Sequence, residues 1–88
     1  MKLKLKGTEA AVEGTSSTNG GNVGLATLVR VHNAGGTRRL VSLETSAGVL
    51  IGTFTIGANA TELLDKTSTD EIFAASTDVL LVGIAYYS

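Results

Sequence analysis

Between Leu25 and Ile56 the chain reads LATLVRVHN, AGG, TRRLVSLET, SAG and VLIGTFTI, three strand-forming segments separated by two short glycine turns. Segments rich in Val, Ile, Thr and Phe, joined by such turns, form β-hairpins. This restricts the chain to an antiparallel meander to which the other segments add strands or connections. In the first segment, Val29 and Val31 fall on one face and Leu28, Arg30 and His32 on the other. In the second, Val41 and Leu43 share one face, Leu40 and Ser42 the other. In the third, Leu50, Phe54 and Ile56 share a face, and Gly52 between them marks a bulge or a close backbone approach. Ala34-Gly35-Gly36 is expected to supply the positive φ angles of a tight turn, and Ser46-Ala47-Gly48 turns the chain again.

The flanking segments extend this pattern. Met1 to Lys6 alternates lysine with leucine. That reads as an edge strand whose lysines discourage unwanted pairing, in cis or as an arm on a neighbouring subunit. Gly14 to Asn22, GTSSTNGGN, has no bulky apolar residue and is expected to be a mobile loop. Ala60 to Lys66 reads as a short strand, its ELLDK too short to stand alone as a helix. Thr67 to Asp70 is a polar corner, and Asp70 to Ala75 reads as a turn followed by a brief extended piece. Val79 to Tyr87 is apolar on both faces, as a covered central strand is, with Tyr86 and Tyr87 on opposite faces. The expected fold is all-β: a small β-sandwich, Ig-like or jelly-roll-like, of six to seven short antiparallel strands. Residues 1–88 form a single domain, with 1–24 as an N-terminal edge strand or arm plus a flexible loop.

An 88-residue chain with no Cys and one His, His32, has neither a disulfide framework nor the ligands of a structural metal. Its only aromatic residues are Phe54, Phe73, Tyr86 and Tyr87. A core so poor in large side chains points to stabilisation by self-association or by docking on something larger. MKLKLK lacks the apolar stretch of a signal peptide, and the longest apolar run, Val79 to Ala85, is strand-sized rather than membrane-spanning. Asn59-Ala60-Thr61 matches a glycosylation acceptor but, with no secretory signal, reads as chance. The net charge of −1 is unevenly spread. Lys2, Lys4, Lys6, Arg30, Arg38 and Arg39 precede residue 40, against Glu9 and Glu13. After it, Lys66 stands against Glu44, Glu62, Asp65, Asp70, Glu71 and Asp78. This is either an ordinary solvated surface or a pair of oppositely charged docking faces.

No catalytic constellation emerges. His32 reads as a surface or turn residue, and no G-x-S-x-G elbow is present. GTSSTNGG lacks the lysine of a phosphate loop and precedes no helix. Asp65, Asp70, Glu71 and Asp78 read as solvated loop acids, since TSTDE does not supply the alternating ligands of a calcium loop. The slightly acidic chain has no stacking aromatics beside Arg30, Arg38 and Arg39, which argues against nucleic acid. The expectation is a non-enzymatic interaction module with no cofactor, metal, nucleic acid or membrane partner.

Val29-Arg30-Val31-His32-Asn33-Ala34-Gly35-Gly36 resembles a V-x-V-x-N-x-G strand and turn of small β-sandwich virion proteins from tailed bacteriophages. The likeness continues through Gly52-Thr53-Phe54-Thr55-Ile56, Glu62 to Lys66, and Thr69 to Ser76, and closes with Ile84-Ala85-Tyr86. These correspond to G-x-F-x-[IV], E-x-x-x-K, T-D-x-I-x-A and V-A-Y, and cover about residues 25–88. The resemblance implies a capsid decoration (cement) protein on the outer surface of the virion head, made in the host cytoplasm. It further implies a homo-oligomer, a trimer, bound to the major capsid protein. A tail, fibre or head–tail joining component and a carbohydrate- or ion-binding β-module are the alternatives. The resemblance carries over no catalytic residue. Lys2, Lys4 and Lys6 on the N-terminal edge, with Arg38 and Arg39 on the hairpin, are the candidate partner-binding residues.

Overall fold

The computed structural model describes residues 2–87, the last as backbone only, so the side chain of Tyr87 lies outside the described residues. Eight strands form: β1 (Lys2–Leu5), β2 (Ala10–Ala11), β3 (Leu28–Asn33), β4 (Arg39–Glu44), β5 (Leu50–Ile56), β6 (Thr61–Asp65), β7 (Glu71–Ala74) and β8 (Val79–Tyr87). The protein is all-β, with no helix among the described residues. The count exceeds the six to seven expected because β2, two alanines paired to Leu80 and Leu81, carries no periodic signal.

The strands make two antiparallel sheets. One runs β1-β8-β3-β6, with β2 also on β8; the other runs β5-β4-β7. β8 is the central strand that its two apolar faces suggested, flanked by β1 and β2 on one edge and β3 on the other. A single core takes Val29, Val31, Val79 and Leu81 from the first sheet and Val41, Ile56, Ile72 and Ala74 from the second. All are aliphatic, and no aromatic ring is fully buried among the described residues. Burying one such Val or Ile contributes ~1.5–3 kcal/mol. The expected face assignments of β3 and β4 hold: Val29, Val31 and Val41 are wholly buried and Leu43 packs against the core, while Leu40 is exposed.

The expected meander forms only in part: β4 and β5 pair as a hairpin, but β3 pairs with β8 and β6 in the other sheet, so residues 34–38 cross between the two sheets instead of closing a hairpin. Three local expectations also change. Leu50 leaves the inner face, because the register shifts between Leu43, opposite Gly52, and Glu44, opposite Leu50. The extra residue, Ile51, is a bulge next to the glycine that signalled one. β3 starts at Leu28 rather than Leu25, because Val23, Gly24 and Leu25 all take left-handed φ angles (57°, 63° and 62°) that no strand accommodates. The Ala34-Gly36 turn needs no positive φ; among the described glycines only Gly24 and Gly48 have one. Gly35 makes space instead, since a Cβ there would run into the Asp78 carboxylate.

Candidate functional site

The motif-bearing residues build structure before they build a surface. Asn33 ends β3 wholly buried. Its Nδ2 donates to the carbonyls of Thr37 (2.8 Å) and Ile56 (3.3 Å), and its Oδ1 accepts from the Gly35 N–H (3.0 Å). One side chain therefore shapes the 34–37 turn and ties the first sheet to β5 of the second. The V-x-V-x-N-x-G pattern is explained by this: two core valines, then the buried amide, then the glycine that admits Asp78.

Glu44, at the end of β4, is also wholly buried, although it projects from the sheet face opposite the core side chains Val41 and Leu43. The Thr18 N–H donates to both of its carboxylate oxygens at 3.0 Å. The glycine-rich segment read as a mobile loop is thus folded over the outer face of the second sheet. Gly21 pairs with Ile72 through two backbone bonds (3.2 and 2.9 Å), closing the free edge of β7. Sequence reasoning placed neither Asn33 nor Glu44 in the interior; a polar residue at a strand end reads as solvated.

Lys66 is the third buried polar side chain with a long reach. Its Nζ donates to the carbonyls of Thr67 (3.2 Å) and Ser68 (3.1 Å), and Asp70 closes the same corner by accepting from the Thr67 N–H. The E-x-x-x-K and T-D elements meet there. Burial lowers the Lys66 pKa below the ordinary 10.5, opposed by the charge of Asp70. Between the lowered value and 10.5 the unfolded chain binds more protons than the folded one, so stability rises with pH across that interval. Urea unfolding midpoints from neutral pH to pH 10.5 are expected to show this rise relative to Lys66→Met, which lacks the titrating group. Parallel curves for the two proteins would refute it.

The five candidate contact residues do not form one patch. Lys2, Lys4 and Lys6 are exposed along β1 and just beyond it. Arg38 is exposed just before β4, whereas Arg39, the first residue of β4, is half-buried, its Nη2 3.3 Å from Asp78 Oδ2. Its Nε is buried without a hydrogen-bond partner among the described residues. Arg39 is thus engaged within the chain. β1 pairs with Ile84 to Tyr87, while Asp78 precedes the other end of β8. At ~3.3 Å per residue the two basic groups are roughly 20 Å apart. His32 bonds to Thr61 Oγ1 (2.8 Å) across β3 and β6, and Arg30 pairs with Glu9 (2.7 Å) above the β1–β2 connection. Such half-exposed pairs contribute at most ~1 kcal/mol.

Exposed apolar side chains lie on both sheets: Leu40, Val49, Leu50 and Ile51 on or beside β4 and β5, and a second set on the outer face of the first sheet. Leu3 and Leu5 stand opposite Tyr86 and Ile84, with Leu63 further along on β6. Leu3, Leu5 and Leu63 are 47%, 64% and 49% exposed, around the buried Val82 and Ile84. Large apolar groups left open on a sheet whose edges carry charge are the composition of a protein-binding surface. Among the described residues no group of three or more His, Asp or Glu side chains is placed to hold a metal ion. Comparison with protein families, with curated proteins and with solved structures found no match to this chain.

Proposed function

We propose that the protein is a non-enzymatic structural component of a phage virion, a decoration (cement) protein that binds the major capsid protein lattice at the outer surface of the head. In this reading the two sheets form a small β-sandwich that self-associates, as a trimer, after synthesis in the host cytoplasm. The observation that carries it is the pairing of a small aliphatic core with exposed Leu3, Leu5 and Leu63 on a charged-edge sheet. Such a domain gains from a partner that covers its open face. The likeness of its strand-and-turn motifs to tailed-phage virion proteins names the class of partner. Lys2, Lys4, Lys6 and Arg38 remain open for contact; Arg39 supports the connection between the two sheets that carries Arg38.

The mechanism needs no chemistry. A protein that binds the assembled shell and not its dissociated subunits shifts the equilibrium towards the intact shell by mass action. Added at 100 times its dissociation constant, it stabilises the shell by ~2.7 kcal/mol per site. Heads lacking this protein are expected to melt at a higher temperature once it is added, in proportion to occupancy. Binding without a change in melting would turn the reading towards a tail or joining component, and no binding would refute it.

A further inference from the structure

We infer that copies of this chain join head to tail through the two outer edges of the first sheet, β1 of one copy adding to β6 of the next to close a ring. The inference rests on the self-association in the reading above and assigns it a surface. Each neighbouring pair in the order β1-β8-β3-β6 is antiparallel, so β1 and β6 run in opposite directions. Copies related by rotation about an axis running along the strands therefore bring β6 antiparallel to the next β1, and a heterologous contact of this kind closes a ring.

The backbone groups are free on the right residues. The Lys6 N–H donates to the Gly83 carbonyl (2.9 Å), so the even-numbered residues of this edge face β8 and the main-chain groups of Leu3 and Leu5 face outward. On β6, Ala60 accepts from the Asn33 N–H (3.0 Å) and the Lys66 N–H donates to Thr27 (2.9 Å), which turns the main-chain groups of Thr61 and Leu63 outward. One register uses both sets. Leu3 lies opposite Leu63 of the next copy and Leu5 opposite its Thr61, each pair exchanging N–H and C=O. Lys4 then lies opposite Glu62. The leucines fall on the outer face of the continued sheet and the ion pair on the other.

Charge decides the partner. β1 carries lysines and β6 carries Glu62 and Asp65, so β1–β1 and β6–β6 pairings are repelled while β1–β6 is attracted. On the other sheet Gly21 occupies part of the β7 edge, and the remaining edge, β5, is bent at Ile51 and carries no charged side chain to select a partner.

The test is light scattering on the full chain at low and high salt, with Lys4→Glu, Glu62→Lys and the double exchange. Wild type is expected to run at three times the 9.0 kDa of one chain. Each single reversal should weaken assembly at least tenfold, and the double exchange should restore it. Circular dichroism confirms that each variant remains β-folded, which its exposed site favours. A monomeric wild type, single variants that assemble unchanged, or a double exchange that fails to rescue would each overturn the inference. Head binding is measured separately. A monomer that still decorates heads sinks the ring alone, and a ring that ignores heads sinks the proposed function alone.

Discussion

Asn33→Ala is expected to cost ~4 kcal/mol, about a third or more of the stability of a domain this size. The side chain is wholly buried and makes three hydrogen bonds, to Thr37, Ile56 and Gly35. Alanine removes all three and strands their partners, and each buried group left unsatisfied costs ~1–3 kcal/mol. A domain of this length has only about 4–13 kcal/mol in total, from ~0.05–0.15 kcal/mol per residue. Denaturant unfolding of wild type and variant measures the difference. Asn33→Asp separates the polar network from simple packing. Aspartate keeps the acceptor for Gly35 but turns a charged oxygen towards two carbonyls. It should be as damaging as alanine at neutral pH and recover as acidification returns a donor. A loss below ~1 kcal/mol in Asn33→Ala would mean that Asn33 does not join the sheets.

The same residue shows what the sequence disclosed and what it withheld. Alternation in Leu28–Asn33 and the apolar run of Val79–Tyr87 fix where those strands lie and which faces they bury, because period-two patterning is a local property. Turn glycines are legible as turns, but not for the reason each is needed. Gly48 does have a positive φ, whereas Gly35 makes room for Asp78, a residue far along the chain. The bulge at Ile51 was half legible through Gly52, yet its consequence for Leu50 was not, since an inserted residue reverses every face beyond it. Long-range polar pairing was hidden throughout. Nothing local distinguishes Arg39, tied to Asp78, from Arg38, which makes no such bond among the described residues. Alternation also disclosed the edge strand β1 that carries Lys2 and Lys4, but its separation from Arg38 and Arg39, and the placing of β3 and β4 in different sheets, needed the sheet order.

Glu44→Ala is expected to cost ~2–4 kcal/mol and to release residues 14–20 from the outer face of the second sheet. A carboxylate without solvent contact is tolerated only where hydrogen bonds replace water, and here the Thr18 N–H supplies them to both oxygens. Gly48 closes over the same spot; a Cβ there would meet the Thr18 methyl at 2.7 Å. Thr18 itself holds a φ of 68°, uncommon for a β-branched residue, and the bond to Glu44 is what offsets that conformation. Truncating Glu44 removes the acceptor, leaves a cavity and frees Thr18 to relax. The segment GTSSTNGG is then held to the sheet only at its two ends, by the Gly21–Ile72 bridge and by the long bond from the Ala74 N–H to the Gly14 carbonyl (3.5 Å). Two readouts follow. Unfolding midpoints should fall, and hydrogen exchange at the Thr18 amide should accelerate far more than at core amides such as Val31. If Thr18 exchange changes only in step with global stability, Glu44 serves the fold without anchoring the loop. A disproportionate rise would establish that one buried acid converts a segment of disordered composition into a fixed cover for the sheet.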